Sequence, residues 1–151
     1  MPELKARLRT DLNTAMKARD ELTTATLRMT LTAITTEEVA GKSARELSDE
    51  EVLRVLTREG KKRREAAEAY DAAGREQLAA RERAEGEVLD RYLPAQLGAA
   101  ELAELVRSAV SEAGATTPRD IGAVMKLVQP QVAGRADGKR VSDEVRRQLT
   151  G

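Results

Sequence analysis

The sequence predicts an all-α protein of two helical subdomains, and three observations carry that prediction. The composition is rich in Ala, Leu, Glu and Arg and poor in the β-branched and aromatic clusters that strands favour. Apolar residues recur at spacings of three and four along most of the chain. Within Tyr92-Leu93-Pro94-Ala95-Gln96-Leu97, Pro94 biases Leu93 out of helical geometry and marks a boundary. The expected division is an N-terminal helical domain with a long helical hairpin, residues 1–94, and a C-terminal three-helix domain, residues 95–151.

Leu4, Leu8, Leu12, Ala15 and Met16 form the stripe of a first amphipathic helix. A second is expected from Glu21 to Ala40, with Leu27, Leu31 and Ile34 on one face and Gly41 as its stop. Its many threonines are weak helix formers, so packing must hold it. Ser48-Asp49-Glu50-Glu51 reads as a capping box that opens a long helix to about Ala73, roughly 25 residues and about 38 Å. Val52, Val55 and Leu56 start its apolar face. The middle, Arg58 to Glu65, is polar all round and is expected to project from the core, laced by pairs such as Glu59–Arg63. Gly74 stops this helix, and a returning one carries Leu78, Glu85, Val88, Leu89 and Tyr92.

After Gly98, Leu102, Leu105, Val106, Ala109, Val110 and Ala113 make a clean stripe ended by Gly114. Thr117-Pro118-Arg119-Asp120 supplies an N-cap, a proline at the first helical position and an acid in the first turn. Ile121, Val124, Met125 and Val128 follow at helical spacing and are expected to end before Pro130. Ser142 is the expected cap of a final helix facing inward through Val141, Val145 and Leu149. Between these two helices, Gly134-Arg135-Ala136-Asp137-Gly138-Lys139 packs two glycines, one acid and two cations into six positions. Glycines permit left-handed backbone, and exposed amides beside cations suit an anion such as a phosphate. The same run is also compatible with an ordinary turn in which Asp137 bonds a neighbouring amide.

The 151 residues hold no histidine, cysteine, tryptophan or phenylalanine, and Tyr70 and Tyr92 are the only aromatics. That excludes disulfides, thiolate nucleophiles, histidine triads and imidazole or cysteine metal sites. No cofactor or metal is expected. With 26 basic and 26 acidic residues, the chain has no overall field that would attract any nucleic acid. No apolar run is long enough to span a membrane, and Met1-Pro2-Glu3-Leu4-Lys5 lacks the apolar core of a signal peptide, so a cytoplasmic location is expected.

Several segments in register carry a family resemblance: Ala73-Gly74-Arg75-Glu76-Gln77-Leu78, the Tyr92–Leu97 linker, Gly122-Ala123-Val124-Met125, and above all the run from Pro130 through Val141. The chain resembles the YqeY family, whose domain also forms the C-terminal tail of GatB, a subunit of the aminoacyl-tRNA amidotransferase. The resemblance implies two all-α parts and a link to tRNA, because the GatB tail is thought to help that enzyme hold tRNA while ATP use and transamidation lie elsewhere. It does not bring catalysis with it. The sequence has no cysteine, no visible Ser/Ser/Lys amidase arrangement and no Walker-type glycine loop, so independent carbon–nitrogen ligase activity is the least favoured reading.

The favoured expectation is a tRNA- or RNA-interacting accessory module, working with an amidotransferase or another protein partner. Between Lys126 and Gly151 six cations face three acids, a local excess of +3. The expected RNA-binding residues are Lys126, Gly134, Arg135, Gly138, Lys139 and Arg140. Arg146 and Arg147 are equally well read as a solvated face. Arg54, Arg58, Lys61 and Lys62 make a second basic group, which reads either as an RNA contact or as a surface of local ion pairs. A protein–protein adaptor using the hairpin is the alternative from another class.

Overall fold

The computed structural model describes residues 3–150; Met1, Pro2 and Gly151 lie outside them, and with them the first two residues of the N-terminal reading and the end of the C-terminal one. The described residues form seven α-helices and one 3₁₀ turn, with no strand. The chain divides into two compact units, Met1–Leu93 and Pro94–Gly151.

In the first unit, α1 (Glu3–Lys17) packs against α2 (Glu21–Glu38) and α3 (Asp49–Ala72), and α4 (Glu76–Asp90) returns along α3 and touches α2. Leu8, Leu27, Ile34, Leu47, Val52, Val55, Leu56, Val88 and Leu89 form one buried cluster. Each such side chain contributes about 1.5–3 kcal/mol by leaving water. Met16, expected on the apolar stripe of α1, is instead exposed. Leu78 is also out of the core at 43% exposure, and Ala79 takes the inward position on α4.

The turn from α1 to α2 stores backbone strain. Arg19 has φ 57°, the only left-handed non-glycine among the described residues. The Asp20 amide donates to the Ala15 carbonyl at 2.9 Å and the Arg19 amide to Met16 at 3.2 Å, the paired bonds of a Schellman ending. Asp20 then caps α2, accepting from the Thr23 amide at 3.1 Å and its hydroxyl at 2.7 Å. A left-handed L-residue costs about 1–2 kcal/mol, partly offset in any glycine variant by a freer unfolded chain. Arg19→Gly is therefore expected to stabilise this unit by about 0.5–1 kcal/mol, read from the urea midpoint. An unchanged or lower midpoint would mean that the Arg19 side chain itself holds the turn.

Four of the seven threonines of α2 are satisfied inside their own helix. Thr26, Thr30, Thr35 and Thr36 each donate to the carbonyl four residues back, at 2.8 to 3.0 Å. The helix ends at Glu38 rather than Ala40, and Gly41 lies beyond its end. The reason is Glu38 itself. Its side chain is buried against Lys5, its carbonyl accepts from the Arg45 amide at 3.0 Å, and the chain turns there to bring Leu47 into the core.

Ser48 caps α3 by accepting from the Glu51 amide at 3.2 Å. The Glu51 carboxylate pairs with Arg45 at 2.6 Å, which together with Ser48 holds it below the usual carboxylate range. At the far end Gly74, φ 74°, closes a Schellman motif in which the Arg75 amide reaches the Tyr70 carbonyl at 2.8 Å. The polar middle of α3 does not project freely. Glu59 and Gly60 are buried and Arg63 is largely covered, because α4 lies over them and supplies Glu82 and Glu85.

The second unit consists of α5 (Ala99–Ala113), the 3₁₀ turn Pro118–Asp120, α6 (Ile121–Val132) and α7 (Gly138–Thr150). The three helices pack pairwise around Leu97, Leu102, Val106, Ala109, Val124, Val128, Val132, Val141, Val145 and Leu149. Ala113 is exposed, and Gly114 ends α5. The Asp120 carboxylate accepts from the amides of Thr116 (3.0 Å) and Thr117 (3.2 Å), which holds its pKa low and fixes the entry to α6.

Two expectations are corrected here. Helix α6 does not stop before Pro130 but runs through it to Val132. Val128 and Val132 are both in the core, one turn apart, and their burial outweighs the bond that a proline cannot donate. Ser142 is not the cap of α7; its hydroxyl donates to the Lys139 carbonyl from inside the helix.

Candidate nucleic-acid interface

The α6–α7 connection is built from glycine geometry and a cap. Gly134 has φ 73°, which allows the amides of Arg135 (2.8 Å) and Ala136 (3.2 Å) to turn back onto the Val132 carbonyl. Asp137 directly precedes α7. Its Oδ1 accepts from the Lys139 amide at 3.2 Å and its carbonyl from Val141 at 3.1 Å, so Asp137 does the capping assigned to Ser142. Gly138 is the first residue of α7, and a Cβ there would meet nothing within 4 Å.

A second segment holds this loop from outside. The Leu97 amide donates to the Arg135 carbonyl at 2.8 Å, and Gln96 Nε2 donates to the Gly134 carbonyl at 2.9 Å. In return Arg135 Nε donates to the Ala95 carbonyl at 3.3 Å, and the Arg140 guanidinium to the Leu97 carbonyl at 3.1 Å. The amides of Arg135, Ala136 and Lys139 are thus already committed within the protein.

The cations differ in how they are engaged. Arg135 also lies 3.9 Å from Glu101. Arg146 lies 3.8 Å from Asp143, and Arg147 donates to Glu144 at 2.9 Å and holds that carboxyl below its usual range. Lys126 on α6 and Lys139 at the start of α7 are exposed and make no ion pair with any described residue. In the second basic group, Arg58 pairs with Glu37 at 3.2 Å and Lys62 with Glu59 at 3.1 Å, while Arg54 and Lys61 are exposed. Those pairs are the local ion-pair surface that sequence spacing left as one of two readings.

Tyr92 is a packing residue with a satisfied hydroxyl. It donates to Asp11 at 2.6 Å under the Arg7 guanidinium, and burial followed by the Asp11 carboxylate pushes its pKa well up. Among the described residues no group of His, Cys, Asp and Glu could hold a metal ion, and no helix is long and apolar enough to cross a membrane.

The sequence model described as Yqey-like protein matches residues 5–149. The chain belongs to the YqeY family. It is similar to an uncharacterised protein of Schizosaccharomyces pombe, 37% identical over 95 residues, which are 62% of this chain and 75% of that protein. Two of the segments on which the YqeY resemblance rests, the Tyr92–Leu97 linker and the Pro130–Val141 run, are the two sides of the contact just described. Sequence reasoning singled out both segments but not their pairing, and Gln96 was not among the candidate site residues. Periodicity carries no signal for a bond between residues about forty positions apart.

Proposed function

We propose that the protein is an accessory RNA-interacting module of the cytoplasm, related to the tail domain of the glutamine-dependent aminoacyl-tRNA amidotransferase. Its Pro94–Gly151 unit contacts tRNA or another folded RNA and works beside an amidotransferase or another protein. One observation supports this reading most directly. A hydrogen-bonded loop lies between Lys126 on α6 and Lys139 at the start of α7, both exposed and neither paired with a carboxylate among the described residues. Lysines in that state release counterions when they meet phosphates, and the gain falls as salt rises. With only two tyrosines in the chain, base stacking is a poor mode, and backbone and shape recognition of folded RNA fits better. No catalytic step is assigned to this chain. Amide transfer from glutamine needs an ammonia-releasing nucleophile, and a cysteine is not in the sequence.

Binding of the full chain to bulk tRNA across a salt series, with duplex DNA of similar charge as control, tests the reading. The expected result is selective binding whose log K falls linearly with log salt, with a slope of about −2, two phosphate contacts at about 0.9 each. No binding at low salt, or equal binding to duplex DNA, refutes it.

The adaptor reading also has an observation in its favour. An open groove of about 390 Å³ runs between α3 and α4, lined by Ala67 and Gly86, by Arg63, Arg64 and Arg83, and by Glu68, Glu82, Glu87 and Asp90. Its mixed charge suits a protein surface better than a phosphodiester. If tRNA does not bind, this groove is the surface to mutate in a partner-capture experiment.

A further inference from the structure

We infer that the cations around the α6–α7 loop divide into two roles: Lys126 and Lys139 contact phosphate, whereas Arg135 and Arg140, with Gln96, are positioning residues that hold the loop. This rests on the RNA reading above and refines it. A fully ionised guanidinium is ordinarily the better phosphate ligand, so the arginines would be the first choice on chemistry alone. Their geometry says otherwise. Arg135 Nε is turned onto the Ala95 carbonyl and Arg140 onto the Leu97 carbonyl, at 3.3 and 3.1 Å.

The contact is reciprocal and anchored. Leu97 is buried in the core of its unit, and both of its main-chain polar groups are used, the amide on Arg135 and the carbonyl on Arg140. Gln96, uncharged, bonds the carbonyl of Gly134, the residue whose left-handed backbone sets the turn. Four hydrogen bonds therefore join 95–97 to 134–140 and tie the loop to the residue preceding the Gly98 cap of α5. The side chains of Lys126, on α6, and Lys139, at the start of α7, are exposed and have no such partner among the described residues.

Charge contact and positioning leave different marks on salt dependence. A phosphate contact contributes about 0.9 to the slope of log K against log salt, and a positioning bond contributes nothing to it. In the full chain, with bulk tRNA as probe, Lys126→Gln and Lys139→Gln are each expected to reduce the slope by about 0.9. Arg135→Gln, Arg140→Gln and Gln96→Ala are expected to weaken binding several-fold with the slope unchanged. The same three should speed hydrogen exchange at the Leu97, Arg135 and Lys139 amides, which the lysine variants leave protected. A slope that falls for the arginine variants as it does for the lysines overturns the division, and so does a Gln96→Ala protein with unchanged affinity and exchange. A wild-type protein that binds no tRNA refutes the RNA reading and with it the phosphate role of the lysines; the exchange rates still decide whether the clasp holds the loop.

Discussion

Lys5→Met is expected to destabilise the Met1–Leu93 unit by about 3–5 kcal/mol, the usual cost of removing one partner from a buried ion pair. Lys5 and Glu38 are only 6% and 9% exposed, and the Lys5 ammonium donates to both Glu38 oxygens at 2.8 and 2.9 Å. Without the ammonium, the carboxylate stays buried with the Leu47 amide at 3.2 Å and the Arg9 charge as its remaining support. The double variant Lys5→Met with Glu38→Gln removes both charges and keeps an acceptor for Leu47, so it should recover most of the loss. Urea unfolding of the two variants checks this, and equal stabilities would mean that the pair is solvated rather than buried.

The pH dependence of the same pair has a definite sign. Lys5, and after it the Leu47 amide, hold the Glu38 carboxyl below its usual range against the opposing effect of burial. A folded pKa below the unfolded one gives stability that is present above the unfolded glutamate value, about 4.3, and is lost as pH falls through the folded value. Asp20, Glu21 and Glu51 in the same unit are held low as well, so the loss in acid is shared. The double variant should therefore lose less stability between neutral pH and about pH 3 than the wild type, without becoming insensitive to acid.

What could be seen in the sequence follows from the range of each signal. Leu8, Leu27, Ile34, Val52 and Leu56 were legible because period and burial agree. So were the stops at Gly74 and Gly114, whose conformations only a local rule has to explain. Lys5 was not legible: its spacing to Leu8 puts it on the core face of α1, but a lysine stays buried there only because Glu38, 33 positions away, pairs with it. The end of α6 was misjudged for a related reason: the local penalty at Pro130 is visible in sequence, and the burial of Val132 that overrides it is not. In the candidate site, the glycine loop announced itself. Its cap was assigned one turn too late, because Ser142 and Asp137 are both competent caps and only the start of α7 decides between them. The clasp from Ala95 to Leu97 lay beyond any local rule.

Arg63→Met is the other change expected to have a large effect, about 3 kcal/mol on the same unit, and the reason is the number of carboxylates that one side chain serves. Arg63 approaches Glu85 at 3.1 Å, Glu59 at 3.6 Å and Glu82 at 3.8 Å, with its own side chain 15% exposed. Arg63 Nε and Glu82 Oε2 are buried without a well-aligned hydrogen bond, so the cluster depends on charge more than on geometry. Removing Arg63 leaves three glutamates from two helices facing one another. Lys62 still reaches Glu59 at 3.1 Å and Arg81 still reaches Glu85 at 3.0 Å, which places the expected loss at the low end of the range for broken buried pairs. If repulsion is the cause, Glu85→Gln should restore about 1 kcal/mol in the Arg63→Met background and destabilise the wild type, a coupling that a double-mutant cycle reads directly. Additive effects would show that Arg63 acts only through its packing against α4. The outcome also bears on the groove between α3 and α4, since Arg63 and Glu82 line it. Arg63 bridges both helices at the edge of that groove, and a partner that recognises it would lose affinity in Arg63→Met and regain part of it with Glu85→Gln.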